Sequence, residues 1–262
     1  MDKASVSGML LGLGGIVGGL LLEGGKVSQI LQPTAALIVF GGTAGAVLIQ
    51  FPLPVVLNAV RALAGIFSSP PDIFESAIHS LVGFANTARR RGIVALDAEL
   101  PNVHDPFMRR VLTLAVDGTE PEELRKIAEL ELDNQYEREE HLSQVFESAG
   151  GFSPTVGIIG AVLGLIQVMQ HLDHIDEVGR GIAVAFVATV YGVGAANLLF
   201  LPAAGKLRIR LRDAQRQREM VLEGVVSIIG GMNPRMLRSS LRSFLGQSNG
   251  VDENIAAKAA GA

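Results

Sequence analysis

Residues 152–172 read FSPTVGIIGAVLGLIQVMQHL and residues 181–201 read GIAVAFVATVYGVGAANLLFL, with no Asp, Glu, Lys or Arg in either. The hydrocarbon core of a bilayer is roughly 30 Å thick and takes about 20 mostly apolar helical residues to cross. Both runs meet that length. They are too long for strands, and their glycines recur at helical rather than alternating spacing. Two earlier runs qualify as well, 6–22 and 33–53, both uncharged. A secretory signal is the rival reading of the first. It lacks a basic start, because Asp2 cancels Lys3, and no small-residue cleavage pattern follows it. Four membrane-spanning helices are the expectation.

The composition of the 262 residues agrees. Charged residues make up 18%, where about 25% is usual for soluble domains, and the mean hydropathy is +0.37. A net charge of −4 argues against nucleic acid as a partner. The absence of cysteine excludes disulfides, thiolate metal sites and a cysteine nucleophile. Many of the 31 glycines form small-xxx-small pairs: Gly8/Gly12, Gly14/Gly18, Gly15/Gly19, Gly41/Gly45 and Gly160/Gly164. Such pairs let helix backbones approach closely where lipid supplies no hydrophobic drive. They serve packing within the chain or between chains.

Basic residues near span ends set the orientation. The link 23–32 holds one Lys and one Glu, and the link 173–180 is acidic through Asp173, Asp176 and Glu177. Lys206, Arg208, Arg210, Arg212, Arg216 and Arg218 follow the fourth span, while Arg61 and then Arg89, Arg90 and Arg91 follow the second. This places both termini and the central segment in the cytoplasm. The expected organisation is a hairpin over 1–53, a cytoplasmic helical domain over 54–151, a second hairpin over 152–204, cytoplasmic helices over 205–245 and a disordered tail over 246–262.

The central segment reads as amphipathic helices. Phe74, Ala77, Ile78, Leu81, Ala85 and Ala88 share one face. Ser69 before Pro70 is a start signal, and Arg89–Arg91 followed by Gly92 a stop. A second helix over 107–116 ends at Gly118. Thr119-Glu-Pro-Glu122 is a capping box for a third, acidic and running to about Ala149. After the fourth span the helix continues to Gly230-Gly231, and Asn233-Pro234 starts a last one.

No nucleotide-binding, hydrolase or metalloprotease motif occurs, so the chain reads as non-enzymatic and without a cofactor. His171 and His174 with Asp173 and Asp176 could imitate a metal cluster, but a solvated outer loop is the plainer reading and no metal is expected. More telling, the spans contain no carboxylate. Ion-coupled membrane proteins usually carry an ionisable group inside the bilayer. Here the spans offer Thr155, Thr189, Tyr191, Asn197 and Gln167, so a partner chain should supply the titrating acid. The alternative role of these groups is to bond carbonyls of neighbouring helices.

The segments Leu22-Glu-Gly-Gly25, Leu37-Ile-Val-Phe-Gly-Gly-Thr43, Phe51-Pro-Leu53, Arg89-Arg-Arg-Gly-Ile-Val-Ala-Leu-Asp97, the stretch from Ser153 to Leu165, Ala188-Thr-Val-Tyr-Gly192 and Asn197-Leu-Leu-Phe-Leu-Pro202 occur in the order found in the MotA family of flagellar stator proteins. The chain resembles that family from about residue 5 to 245. The resemblance implies a bacterial inner-membrane subunit, five copies around a dimer of a MotB-like protein whose single span brings the ion-carrying Asp. Ion flow would drive the cytoplasmic part against a FliG-like rotor protein.

The resemblance also implies residue roles. A rotor-facing Arg corresponds to Arg89, with Arg90 and Arg91 beside it, and the family's Glu eight residues later is Asp97 here, with Glu99 nearby. Pro154 and Pro202 correspond to prolines tied to conformational coupling, or mark helix boundaries. Thr189 corresponds to an ion-path threonine, and Thr155 belongs with it among the hydroxyls of the spans. Sodium-driven relatives tend to place a second Thr where this chain has Ala161, which favours protons. A TolQ/ExbB-like energy transducer is the alternative within ion-driven machines. A membrane scaffold or channel without coupling is the alternative outside them.

Overall fold

The computed structural model describes residues 2–66, 68, 73–170, 172–173 and 175–245; for residues 73 and 175–177 only the backbone is described. The start signal at Ser69-Pro70, the histidines His171 and His174, and the tail 246–262 lie outside the described residues. The described residues are mostly helical, with no strand among them. Four helices are long and apolar enough to cross a membrane, as the four uncharged runs require.

Helix α1 is Lys3–Leu22, started by the Asp2 carboxylate, which accepts the N–H of Ala4 at 3.1 Å. Helix α2 covers Pro33–Gln50 and contains a π turn at Leu37–Gly41. Helix α3, Leu53–Gly65, is a shorter apolar element. Helix α4, Ile73–Arg91, closes with three arginines in its last turn. Gly92 then takes φ +83°, a left-handed stop that a side chain would strain. A 3-10 segment over Ile93–Asn102 leads to α5, Pro106–Val116. There the Asp105 carboxylate accepts the N–H of Met108 at 3.0 Å.

Helix α6 runs unbroken from Pro121 to Gln170, 50 residues. This corrects the expectation of one helix ending near Ala149 and a separate span after it. The start also differs from the expected capping box, because Pro121 occupies the first helical position and shifts the cap to Glu120. Helix α7 comprises Ile175–Ala195, a π turn over Ala196–Phe200 and then Leu201–Ile229. Helix α8 covers 234–245, with the Asn233 side chain accepting the Arg235 N–H at 3.0 Å.

Pro154 and Pro202 therefore sit inside long helices and bound neither. A proline in a helix interior forfeits one hydrogen bond and presses its ring on the carbonyl four residues back. Ahead of Pro202 the π turn widens the backbone at that carbonyl, Leu198. At Pro154 the carbonyl without its usual donor belongs to Gly150. A Cβ on Gly150 would lie 2.6 Å from the Leu201 side chain, so the glycine lets the two proline-bearing turns pack together.

By packing, the chain falls into two units. Among the described residues, those within 2–68 and 138–209 make the first, and those within 73–137 and 210–245 the second. The second is organised as a soluble core, with Ile78, Leu81, Leu112, Leu124, Met220 and Leu237 buried to within 2% exposure. Gly224 of α7 lies against Leu81, leaving no room for a Cβ. Arg125 of α6 and Glu223 of α7 pair at 2.7 Å. That hydrogen bond raises the Arg125 guanidinium above its usual range against the opposing effect of partial burial.

The first unit has small apolar clusters. Val47, Ala59, Phe146, Ala149, Ala203 and Ala204 form one, and Ala35, Val39, Val187 and Ala188 another. No residue of α1 is buried. Tyr191 of α7 ties the entry of α2: its hydroxyl accepts the Gln32 N–H at 3.3 Å and donates to the Ile30 carbonyl. Tyr191→Phe should cost about 1–3 kcal/mol through those orphaned groups. The readout is a lower denaturation midpoint of the purified complex, and an unchanged midpoint would refute the tie.

Candidate functional site

The membrane unit is built on a seam of small residues between α6 and α7. A Cβ on Gly157 would stand 3.0 Å from the Ala188 carbonyl oxygen and 3.2 Å from the Gly192 Cα. On Gly160 it would meet the Ala188 side chain at 2.7 Å, and on Gly164 the Gly181 carbonyl at 2.8 Å. A Cβ on Gly192 would lie 2.6 Å from the Ser153 carbonyl. Gly160 and Gly164 were legible as a pair. Gly157, Gly181 and Gly192 join them in the folded seam, and small residues at spacings of three and four on both runs carry the corresponding signal. In contrast, Gly8, Gly14, Gly15, Gly18, Gly19 and Gly45 have no atom within 4 Å of a built Cβ, and of the α1 glycines only Gly12 meets a neighbour, the Leu198 side chain at 3.1 Å.

This seam positions the ion-path candidates. Ala161 follows Gly160 and Thr189 follows Ala188, so the Gly160–Ala188 contact brings Ala161 and Thr189 to one level of the hairpin. Both are half-buried. The Thr189 hydroxyl donates to the Ala185 carbonyl at 3.2 Å. Thr155 is exposed and donates to the Phe152 carbonyl at 2.7 Å. Asn197 likewise donates to Val193 at 2.9 Å. These bonds stay within each residue's own helix rather than crossing to a neighbour. A hydroxyl whose proton is committed to backbone presents its remaining lone pairs, so Thr189 and Thr155 can accept from a protonated carrier or ligate a cation. Neither can itself titrate.

Two further hydroxyls are buried without a hydrogen-bond partner, Thr43 on α2 and Ser153 on α6. The spans lack carboxylates in sequence, and among the described residues no group of three or more His, Asp or Glu could hold a metal ion. The two spans of this hairpin therefore offer no carboxylate themselves.

The second unit carries the charged candidates. Arg89, Arg90 and Arg91 are exposed at the C-terminus of α4, and Asp97 is exposed on the following 3-10 segment. Glu99 is half-buried. None of the five has an ion-pair partner among the described residues, whereas Arg110, Arg125 and Arg242 pair with Glu131, Glu223 and Glu75. The arginines hold their positive charge against no internal partner and suit the C-terminal end of a helix dipole. Beside Arg89 an apolar cleft of about 300 Å³ opens between Ala85, Ala88, Ile93, Ile229 and Met232.

Comparison with known proteins agrees with this anatomy. Residues 99–220 match the model of the MotA/TolQ/ExbB proton channel family, and residues 6–92 match the model described as Motility protein A N-terminal. Motility protein A of Bacillus subtilis (strain 168) is 34% identical over 246 residues, covering 94% of this chain and 91% of the relative. Chemotaxis protein PomA of Vibrio alginolyticus is 30% identical over 247 residues, covering 94% and 96%. Among solved structures, the MotAB complex of C. jejuni superposes with a TM-score of 0.87 at 30% identity, covering 93% of this chain and 96% of that one. The flagellar MotAB stator complex of Bacillus subtilis gives 0.85 at 34% identity, covering 96% and 99%. With one model taking the first hairpin and α4, and the other the helices that carry the seam, the chain belongs to the MotA/TolQ/ExbB proton channel family, among its motility protein A members.

Proposed function

We propose that the chain is the ion-conducting stator subunit of a bacterial flagellar motor, driven by protons. The observation that carries the reading is the likeness to two MotAB stator chains over more than nine-tenths of every chain compared. The match of residues 6–92 to the motility protein A N-terminus favours this over the TolQ/ExbB-like alternative. In this reading the chain sits in the inner membrane with both termini cytoplasmic, since Lys206 and the arginines after it would otherwise have to cross. Five copies surround a MotB-like dimer.

The mechanism follows from what the seam lacks. A MotB-like span supplies the titrating Asp, and Thr189, with Thr155 further along, accepts hydrogen bonds from its protonated form or from water beside it. With Ala161 in place of a second hydroxyl, the site has few oxygens to replace a sodium hydration shell, whereas a proton carrier needs only one acceptor. Pro154 and Pro202, packed together through Gly150 and Leu201, are where the hairpin can change bend as the acid loads and discharges. Arg89, Arg90 and Asp97, with Glu99, meet a FliG-like rotor protein.

Swimming of a deletion strain complemented with this gene and its partner gene tests the reading. Loss of swimming on deletion is expected, and normal swimming without the gene would sink the stator assignment. Swimming in sodium-free buffer that collapses with a protonophore is expected for proton coupling. Dependence on sodium instead would refute the weight placed on Ala161.

A further inference from the structure

Helix α1 stands off the rest of its unit. It touches the rest of the unit at Gly12 against Leu198 and, at its start, through the ion pair of Asp2 with Lys206. Lys206 also donates to the Ser5 hydroxyl at 2.9 Å. Between α1 and α7 lies a cavity of about 880 Å³ that reaches from Ser5 and Lys206 at one end to Ile30 and Tyr191 at the other. Met9, Leu13, Val17, Leu63, Val190 and Leu198 supply much of its apolar wall. Its polar groups are mostly engaged: the Tyr191 hydroxyl is bonded to Ile30, and the Asn197 amide to Val193.

We propose that this groove is a lipid site, holding one acyl chain of a phospholipid whose phosphate sits at Lys206. Length is the first argument. Lys206 and Tyr191 are fifteen residues apart on one helix, about 22 Å at 1.5 Å per residue. That exceeds one leaflet of hydrocarbon, roughly 15 Å. Lining is the second. The wall is apolar apart from Ser5, Tyr191, Asn197 and Lys206, and the medium around these spans is hydrocarbon.

Charge is the third. Lys206 is the first charged residue after the uncharged run 181–205, and Asp2 and Lys3 immediately precede the uncharged run 4–22. Both helices thus reach headgroup level at the same end of the groove. The Lys206 ammonium has three donors, of which Asp2 and Ser5 take two. The third, with exposed Lys3 beside Asp2, is available to a phosphate oxygen.

Gly8 and Gly194 both line the groove and have no atom within 4 Å of where a Cβ would stand, so each leaves room for a side chain at the groove wall. The test purifies the assembled complex with its partner in mild detergent and measures phospholipid per copy of the chain by mass spectrometry. About one phospholipid is expected per copy in the wild type. Gly8→Leu with Gly194→Leu should lower that at least about twofold, with Gly45→Leu, outside the groove, unchanged. Equal lipid in the filled variant overturns the proposal. Because the chain has no cysteine, Gly194→Cys can carry a diazirine-bearing maleimide as a second measurement. A phospholipid adduct supports the site, and crosslinking to another protein chain overturns it. The readout is lipid rather than swimming, so failure here leaves the stator reading intact.

Discussion

Arg89→Glu combined with Arg90→Gln and Arg91→Gln should abolish most of the motor torque while leaving the complex in the membrane at near its normal amount. The argument rests on where the three side chains stand. They are exposed in the last turn of α4 and have no ion-pair partner among the described residues. Their internal contribution is the favourable interaction of positive charge with a helix C-terminus, about 0.3–1 kcal/mol each. That is small beside the 5–15 kcal/mol that holds an ordinary domain together. Reversal at Arg89 should therefore shift stability modestly.

At a contact with a charged rotor surface the same change replaces attraction by repulsion, and like-charge juxtaposition costs several kcal/mol. The measurement is rotation of a tethered cell or attached bead, with the membrane-bound complex quantified in parallel. Normal torque with normal amounts of complex would show that these arginines serve only the helix end. Lost torque with lost complex would point to the fold. Arg110→Glu is a useful comparison, because Arg110 is already engaged with Glu131 at 2.8 Å.

What the sequence revealed, and what it hid, follows from the range of the interactions involved. The four spans were legible because each is a local property, a run of about 20 residues without charge. Helix ends set by a single residue, such as Gly92 after the three arginines, were legible for the same reason. The continuity of α6 was not. Gly150, Gly151 and Pro154 together look like a break, and only the Leu201 side chain, far away in sequence, shows why Gly150 is there. The π turns at Leu37–Gly41 and Ala196–Phe200 were equally hidden.

Thr189 stands out in sequence as a hydroxyl in a span, but its level with Ala161 depends on how two helices register. The glycine pairs illustrate the limit. Gly160/Gly164 and Gly14/Gly18 have the same spacing, yet a Cβ on either residue of the first pair would meet α7, and on the second would meet nothing within 4 Å among the described residues.

Gly192→Leu should remove the complex from the membrane and swimming with it. Its neighbours at the seam are all backbone: a Cβ would lie 2.6 Å from the Ser153 carbonyl oxygen, 3.0 Å from the Gly157 Cα and 3.3 Å from the Gly157 nitrogen. A flexible side chain could swing aside, but backbone can yield only if α6 and α7 separate. One extra methylene in a well-packed interior already costs about 1–3 kcal/mol. A gap of 0.5–1 Å forfeits about a quarter to a half of each dispersion contact.

The loss does not stay local. The Gly160–Ala188 and Gly164–Gly181 contacts lie on the same seam, and lipid supplies no hydrophobic force to close it again. Gly192→Ala should lower the amount of assembled complex by about tenfold, the equivalent of 1.4 kcal/mol, and Gly192→Leu should leave almost none. Gly205→Leu, on the same helix with nothing within 4 Å, should assemble normally. Wild-type assembly of Gly192→Leu would mean that the seam does not hold the hairpin. Ala161 and Thr189 would then need another explanation for standing at one level, because the Gly160–Ala188 contact that aligns them depends on the same approach of the two helices.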